Sequence, residues 1–220
     1  MTYEKERYSK SYVLRRLFSG SGKLVPLRNL GNSLRSIASA VRRKIFGKYD
    51  SLPFIPYEAI PALENKVTDT CVGTEIGSGM STTWLAPRVK LLTSYEWNEE
   101  WFNEVDGFLK QQQISSVELV KCAEHEMMGF EFLADQSLDF AFIDGGPRSL
   151  CLRNLWPKVK RGGFLYLDNW DSDLFWTEGG IDARTFLKGH SDEIEQQTLY
   201  VDYTPLQFCV SEGLLVVKTS

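Results

Sequence analysis

From about residue 70 onward, short apolar runs rich in β-formers alternate with segments whose apolar residues recur at helical spacing. That alternation restricts the chain to strand–helix–strand units and a largely parallel sheet. Strands are expected at Thr70–Ile76, Lys90–Glu96, Ser116–Lys121, Leu138–Ile143 and Gly163–Leu167, each short and mostly apolar, as strands buried on both faces are. Ser81–Arg88 reads as a short helix broken near Pro87. Asn98 can cap a second helix, with Glu99 and Glu100 in its first turn and Trp101, Phe102, Val105, Phe108 and Leu109 along its buried stripe. A third, Ser149–Val159, is expected to stop at Lys160-Arg161-Gly162-Gly163. Gln197–Tyr203 and Leu214–Lys218 then read as an antiparallel pair joined through Ser211-Glu212-Gly213. The fold class is α/β, a doubly wound and mostly parallel sheet.

Charge divides the chain. Residues 1–50 carry twelve Lys or Arg against three acids, whereas residues 51–220 carry thirteen against twenty-six. We therefore expect a basic helical extension (1–50) and a core domain (51–220), with Pro53, Pro56 and Pro61 marking the passage between them. In the extension, Leu30, Leu34, Ile37, Ala38, Val41 and Ile45 make one apolar face, with Arg35, Arg42, Arg43 and Lys44 among the other positions. Packing of that face on the domain, or on a second subunit in a homodimer, is the favoured expectation; an anionic partner or a membrane surface is the alternative. No apolar run is long enough to span a bilayer, and the charged amino end is unlike a signal peptide, so a cytoplasmic protein is expected. Cys71, Cys122, Cys151 and Cys209 read as reduced thiols, and His125 and His190 have no partners at zinc-ligand spacing.

The most informative residues are Thr74-Glu75-Ile76-Gly77-Ser78-Gly79-Met80-Ser81-Thr82-Thr83, which leave a strand and open a helix. Glycines there let the backbone pass close to a ligand, and the helix start offers free N–H groups and small hydroxyls. Glu96 ends the next strand about twenty residues on, where an acid accepts hydrogen bonds from ribose hydroxyls. This constellation resembles the first two motifs of class I S-adenosylmethionine-dependent methyltransferases. The likeness to a bacterial O-methyltransferase-like branch runs from Leu52-Pro53-Phe54-Ile55-Pro56-Tyr57 through Ser94-Tyr95-Glu96-Trp97 and Phe142-Ile143-Asp144-Gly145 to Lys160-Arg161-Gly162-Gly163-Phe164.

The resemblance implies a sheet ordered 3-2-1-4-5-7-6 and S-adenosylmethionine as cofactor. It implies that Glu75 and the backbone of Gly77, Ser78 and Gly79 hold the methionine part, beside Ser81 and Thr82 at the helix start. Glu96 would bind the ribose, Trp97 would flank the adenine, and Ala123 or Glu124 would line its edge. The chain departs from the pattern at Ser81, where a third Gly is usual, and at Gly146-Pro147-Arg148, where many relatives carry Asp-His or Lys.

Methyl transfer is an in-line displacement, so the protein supplies alignment and, for a hydroxyl acceptor, help with deprotonation. Helpers belong at the ends of the fourth and fifth strands. Asp144 and Arg148 are the candidate catalytic residues, and Asp144, Asp168 and Asn169 resemble the Mg²⁺ site of catechol and sugar O-methyltransferases. Residues 170–197, with Trp170, Phe175, Trp176 and Gly179-Gly180, read as a lid or acceptor pocket. The favoured acceptor is a hydroxyl of a sugar or small metabolite; the acidic domain does not favour nucleic acid. An NAD(P)-dependent oxidoreductase is the alternative enzyme, although Thr82 stands where a dinucleotide loop has its third Gly. A methyltransferase fold that binds cofactor without catalysis is the third reading.

Overall fold

Strands β1 (Val72–Ile76), β2 (Leu91–Glu96), β3 (Val117–Lys121), β4 (Leu138–Ile143), β5 (Val159–Asp168), β6 (Ile194–Thr204) and β7 (Gln207–Lys218) form one sheet. Its order is β3-β2-β1-β4-β5-β7-β6, the order expected. The computed structural model describes residues 16–47, 49, 52–123, 126, 129–171 and 183–220. The first five strands are parallel, and β7 runs antiparallel to both β5 and β6. Strand order reverses at β1, which pairs with β2 on one side and β4 on the other. A crevice therefore opens beyond the carboxyl ends of these strands, the place where open α/β sheets bind ligands.

Alternation along the central strands feeds two cores. Phe140 and Phe142 of β4, Phe164 and Tyr166 of β5, and Leu215 and Val217 of β7 face one layer with Ile55, Leu63 and Trp84. Leu138, Ala141, Ile143, Leu165, Leu167, Leu214 and Val216 face the other, against Cys151, Leu152, Leu155 and Trp156. The covering helices are α1 (Asn32–Phe46), α2 (Ala59–Glu64), α3 (Met80–Leu85), α4 (Glu99–Gln111), α5 (Arg148–Leu155) and α6 (Ala183–Gly189). The side chain of Asn98 accepts from the Trp101 N–H at 2.9 Å, which is the expected cap of α4. All four cysteines are free thiols.

Three local expectations are corrected. Pro157 breaks the helix earlier than expected: α5 stops at Leu155, a 3-10 turn covers Trp156–Lys158, and Lys160-Arg161-Gly162-Gly163 already lies in β5. Ser211-Glu212-Gly213 is not a turn but the middle of β7, paired with Tyr200, Val201 and Asp202; the hairpin turns at Pro205-Leu206, with Leu206 in the left-handed region. Gly213 pairs with Asp168 at the end of β5, so Gln207–Glu212 and their β6 partners project beyond the parallel strands, by about 20 Å at the rise of a strand.

The third correction concerns α1, which packs on that projecting hairpin by its polar side. Ser36 and Ser39 are buried, while Leu34, Ile37, Val41 and Ile45 face outward. The hairpin turn presents backbone groups that need partners, and hydroxyls supply them. Ser36 Oγ lies 2.8 Å from Thr204 O and 2.9 Å from Gln207 O, and Ser39 Oγ accepts from the Leu206 N–H at 2.8 Å. The preceding residues are tied in as well: Val25 is in the core, and Ser19, Ser21 and Lys23 surround the buried Glu212 carboxylate.

One glycine fixes the middle of the sheet. A Cβ on Gly73 would lie 2.2 Å from the Phe140 ring, which is fully buried against β1. Gly73→Ala should therefore destabilise the fold by about 1–3 kcal/mol through overpacking, read as a lower midpoint in urea with unchanged m-value. An unchanged midpoint would show that Phe140 can move aside.

Candidate active site

Glu75, near the end of β1, is fully buried and held on one oxygen only. Thr82 Oγ1 donates to its Oε2 at 2.5 Å and Ser94 Oγ at 2.6 Å, while Ser81 lies beside the same carboxylate. Oε1 has no hydrogen-bond partner among the described residues. Burial lifts the Glu75 pKa to about 7, against the lowering pull of the three hydroxyls. Thr82 also accepts from the Gly79 N–H at 2.8 Å, so this side chain ties the loop to the strand it left. A glycine at position 82 could make neither bond.

Gly77 has φ +89°, and a Cβ there would stand 3.0 Å from the backbone of Gly145. The loops after β1 and β4 thus touch backbone to backbone, and the Asp144 N–H donates to Ile76 O at 2.9 Å. Gly79 is less constrained: its backbone is extended and its Cβ would make only ordinary contacts, the nearest at 3.8 Å. Ser78 O accepts from Trp101 Nε1 at 2.6 Å, so the first turn of α4 clamps the same loop.

At the end of β2, Glu96 is buried and accepts from the Asn98 N–H at 2.8 Å and from Ser78 Oγ at 3.1 Å. Trp97 is 39% exposed and its indole covers Gly145, where a Cβ would meet the ring at 2.8 Å. Cys122 N–H donates to the Glu96 main-chain O, which brings exposed Ala123 to the carboxyl end of β2. Glu124 lies outside the described residues. These features fit a nucleoside and an amino acid held along the loop: a carboxylate facing the ribose position, a flat side chain beside it, and an unpartnered carboxylate oxygen for an ammonium group.

Beyond β4 and β5 the expected oxygens do meet. Arg148 Nη2 donates to Asp144 O at 2.6 Å and lies 3.4 Å from Asp144 Oδ1 and 3.2 Å from Asn169 Oδ1. The Asp144 and Asp168 carboxyls influence each other across the adjoining strand ends, and Asp168 Oδ1 has no hydrogen-bond partner among the described residues. Burial raises both pKa values; the charge of Asp144 pushes Asp168 well above the carboxylate range, while the guanidinium restrains Asp144. Asn169 takes a left-handed backbone, φ +55°, a conformation that Asn tolerates. Two of the three expected Mg²⁺ donors, Asp144 and Asn169, are therefore in contact with the Arg148 guanidinium.

Sequence reasoning passed over Ser94 and counted Trp101 as core packing. Ser94 was accessible from register, since it pairs with Glu75 across the β1–β2 ladder. Trp101 carries no such signal, because its helical stripe looks the same whether or not the indole N–H has a task. Phe175, Trp176 and Gly179-Gly180 of the expected lid lie outside the described residues, as does His125.

An acid two residues before a Gly-x-Gly turn, a second acid ending β2, and a 3-2-1-4-5-7-6 sheet together define the class I S-adenosylmethionine-dependent methyltransferase fold. Residues 74–170 match the family model described as a methyltransferase domain. No curated protein matches the chain by sequence. Among solved structures, an rRNA methylase from Streptococcus thermophilus is 13% identical, with TM-score 0.58, over 74% of this chain and 96% of that one. A Streptococcus mutans protein in complex with S-adenosylhomocysteine is 14% identical, TM-score 0.53, over 76% and 99%. An S-adenosylmethionine-dependent O-methyltransferase from Thermotoga maritima is 14% identical, TM-score 0.56, over 83% and 71%. At these identities the likeness shows the fold.

If Glu75 receives the ammonium of the ligand, S-adenosylhomocysteine must bind the ionised carboxylate. With the free-protein pKa at about 7, the competent fraction falls as pH drops, and affinity should fall about tenfold between pH 8 and pH 6. Calorimetry across that range checks it; a flat profile would remove Glu75 from the ligand's charge. Glu96→Ala should weaken the same ligand by about 1.5–3 kcal/mol. Gly77→Ala should damage binding more than Gly79→Ala, and the reverse ranking would contradict the loop geometry.

Proposed function

We propose that this protein transfers the methyl group of S-adenosylmethionine to a hydroxyl of a sugar or small metabolite, without a metal ion. The observation that carries the reading is the Asp144–Arg148–Asp168–Asn169 cluster at the adjoining ends of β4 and β5, next to the Gly77 loop. The cofactor, when bound, supplies an already activated methyl group on a sulfonium. Glu75, the Gly77–Gly79 backbone, Ser81 and Thr82 hold its methionine end, Glu96 its ribose, and Trp97 and Ala123 border its base.

The chain's own task is then the acceptor. Arg148 keeps Asp144 oriented, and the side chain of Asp144 is 27% exposed, so one carboxylate face is open to a hydroxyl. That hydroxyl would donate to Asp144 while its oxygen faces the methyl group that the cofactor would supply. The proton passes to Asp144, whose pKa burial has raised toward that of a useful base. A divalent cation would have to displace the Arg148 guanidinium, which fills the same role of fixing the oxygens. Residues 51–220 carry thirteen Lys or Arg against twenty-six acids, which disfavours a phosphate-rich acceptor such as RNA.

The test is an acceptor screen of hydroxyl compounds with S-adenosylmethionine, with and without EDTA. Turnover should survive EDTA, and Asp144→Ala should lower kcat by about a hundredfold or more while changing S-adenosylhomocysteine affinity little. Loss of activity in EDTA with recovery in Mg²⁺ would overturn the metal-free reading. Full activity of Asp144→Ala would overturn its role as base.

A further inference from the structure

Ten of the fourteen large hydrophobic side chains exposed among the described residues lie between Leu17 and Phe46. On α1 they form one stripe: Leu34 is 72% exposed and Ile45 65%, with Ile37 and Val41 between them, while Phe46 ends the helix outside the stripe. This stripe points away from the domain, because the opposite side of the helix carries Ser36 and Ser39 into the β6–β7 turn. Helical geometry sets Arg35 and Arg42 along one border of the stripe and Lys44 along the other. Leu27, 81% exposed in the turn before α1, extends the apolar surface.

Charge decides what covers it. Residues 16–49 contain eight Lys or Arg and no Asp or Glu. A second copy of this chain would bring an identical positive surface against the first, which an isologous contact cannot relieve. An RNA partner would meet the bases but leave the aliphatic stripe unburied. We propose that α1 lies on an anionic lipid bilayer, its aliphatic side chains in the acyl boundary and Arg42 and Lys44 among the headgroups, while Arg35 stays stacked on the Tyr57 ring of the domain. The protein then rests on the membrane surface: among the described residues no helix is long and apolar enough to cross it. The helix sits on the hairpin that projects past β5, so the docking element and the candidate active site share one end of the sheet.

The test is co-sedimentation of the full chain with phosphatidylcholine vesicles, with and without phosphatidylglycerol. Wild type should pellet with the anionic vesicles only, and less so as salt is raised. Lys44→Gln should weaken partitioning about fivefold. Leu34→Glu with Ile45→Glu should abolish it while S-adenosylhomocysteine affinity stays at the wild-type value, showing that the domain is intact. The proposal is overturned if wild type stays in the supernatant with anionic vesicles, or if the double variant pellets as wild type does. It is equally overturned if wild type ignores vesicles but sediments as a dimer that the double variant converts to monomer, or ignores vesicles and retains a structured RNA.

Discussion

The contact between Gly77 and Gly145 sets the geometry on which the rest of the site depends. Two strands that neighbour each other at the reversal of strand order must each leave the sheet through a loop, and here the loops press together without a side chain between them. Any Cβ would hold them apart. Their closeness brings the Glu75 carboxylate, the β2 acid and the Asp144 cluster to one edge, although these residues come from three strands. Trp97 and Trp101 act on the same contact from outside, one covering Gly145 and the other holding Ser78.

Buried carboxyls recur along this edge, and each is satisfied differently. Glu75 is met by hydroxyls, which hold one oxygen in place while leaving burial to raise its pKa. Asp168, beside Asp144, is pushed toward its neutral form by burial. Glu212 is the opposite case: Lys23 and two serines overcome its burial and draw its pKa below the ordinary value. Neutral carboxyls near a ligand can change state when it arrives, whereas one paired with lysine is a fixed anchor. The acids therefore divide by partner into a responsive set and a structural one.

Much of this was legible in the sequence. Strand alternation fixes the sheet, because buried parallel strands leave an unbroken apolar signature, and the Gly-x-Gly turn with its two acids marks the loop by spacing alone. Residues 205–213 were misread because Ser, Glu and Gly resemble a turn; the glycine is there instead to admit the Tyr166 hydroxyl, to which a Cβ would lie at 1.9 Å. The face of α1 was misread because apolar periodicity is ordinarily a guide to burial, and here the hairpin beneath demands hydrogen-bond partners. Arg148 could be named as a candidate, but its place between Asp144 and Asn169 depends on how two strand ends meet, which no local pattern records.

The bonds that seat α1 also impose an order of events during synthesis. Ser36 waits for Thr204, 168 residues downstream, and Ser19 for Glu212, 193 residues downstream. At ordinary ribosomal speeds that separation is roughly ten to forty seconds. Strands β1 to β5 emerge first and can pair in sequence, so the basic segment meets a nearly complete sheet. Until then its serines have no turn to satisfy, and its two faces differ little in what they offer. The hairpin's late arrival is what assigns one face inward and leaves the aliphatic one outside.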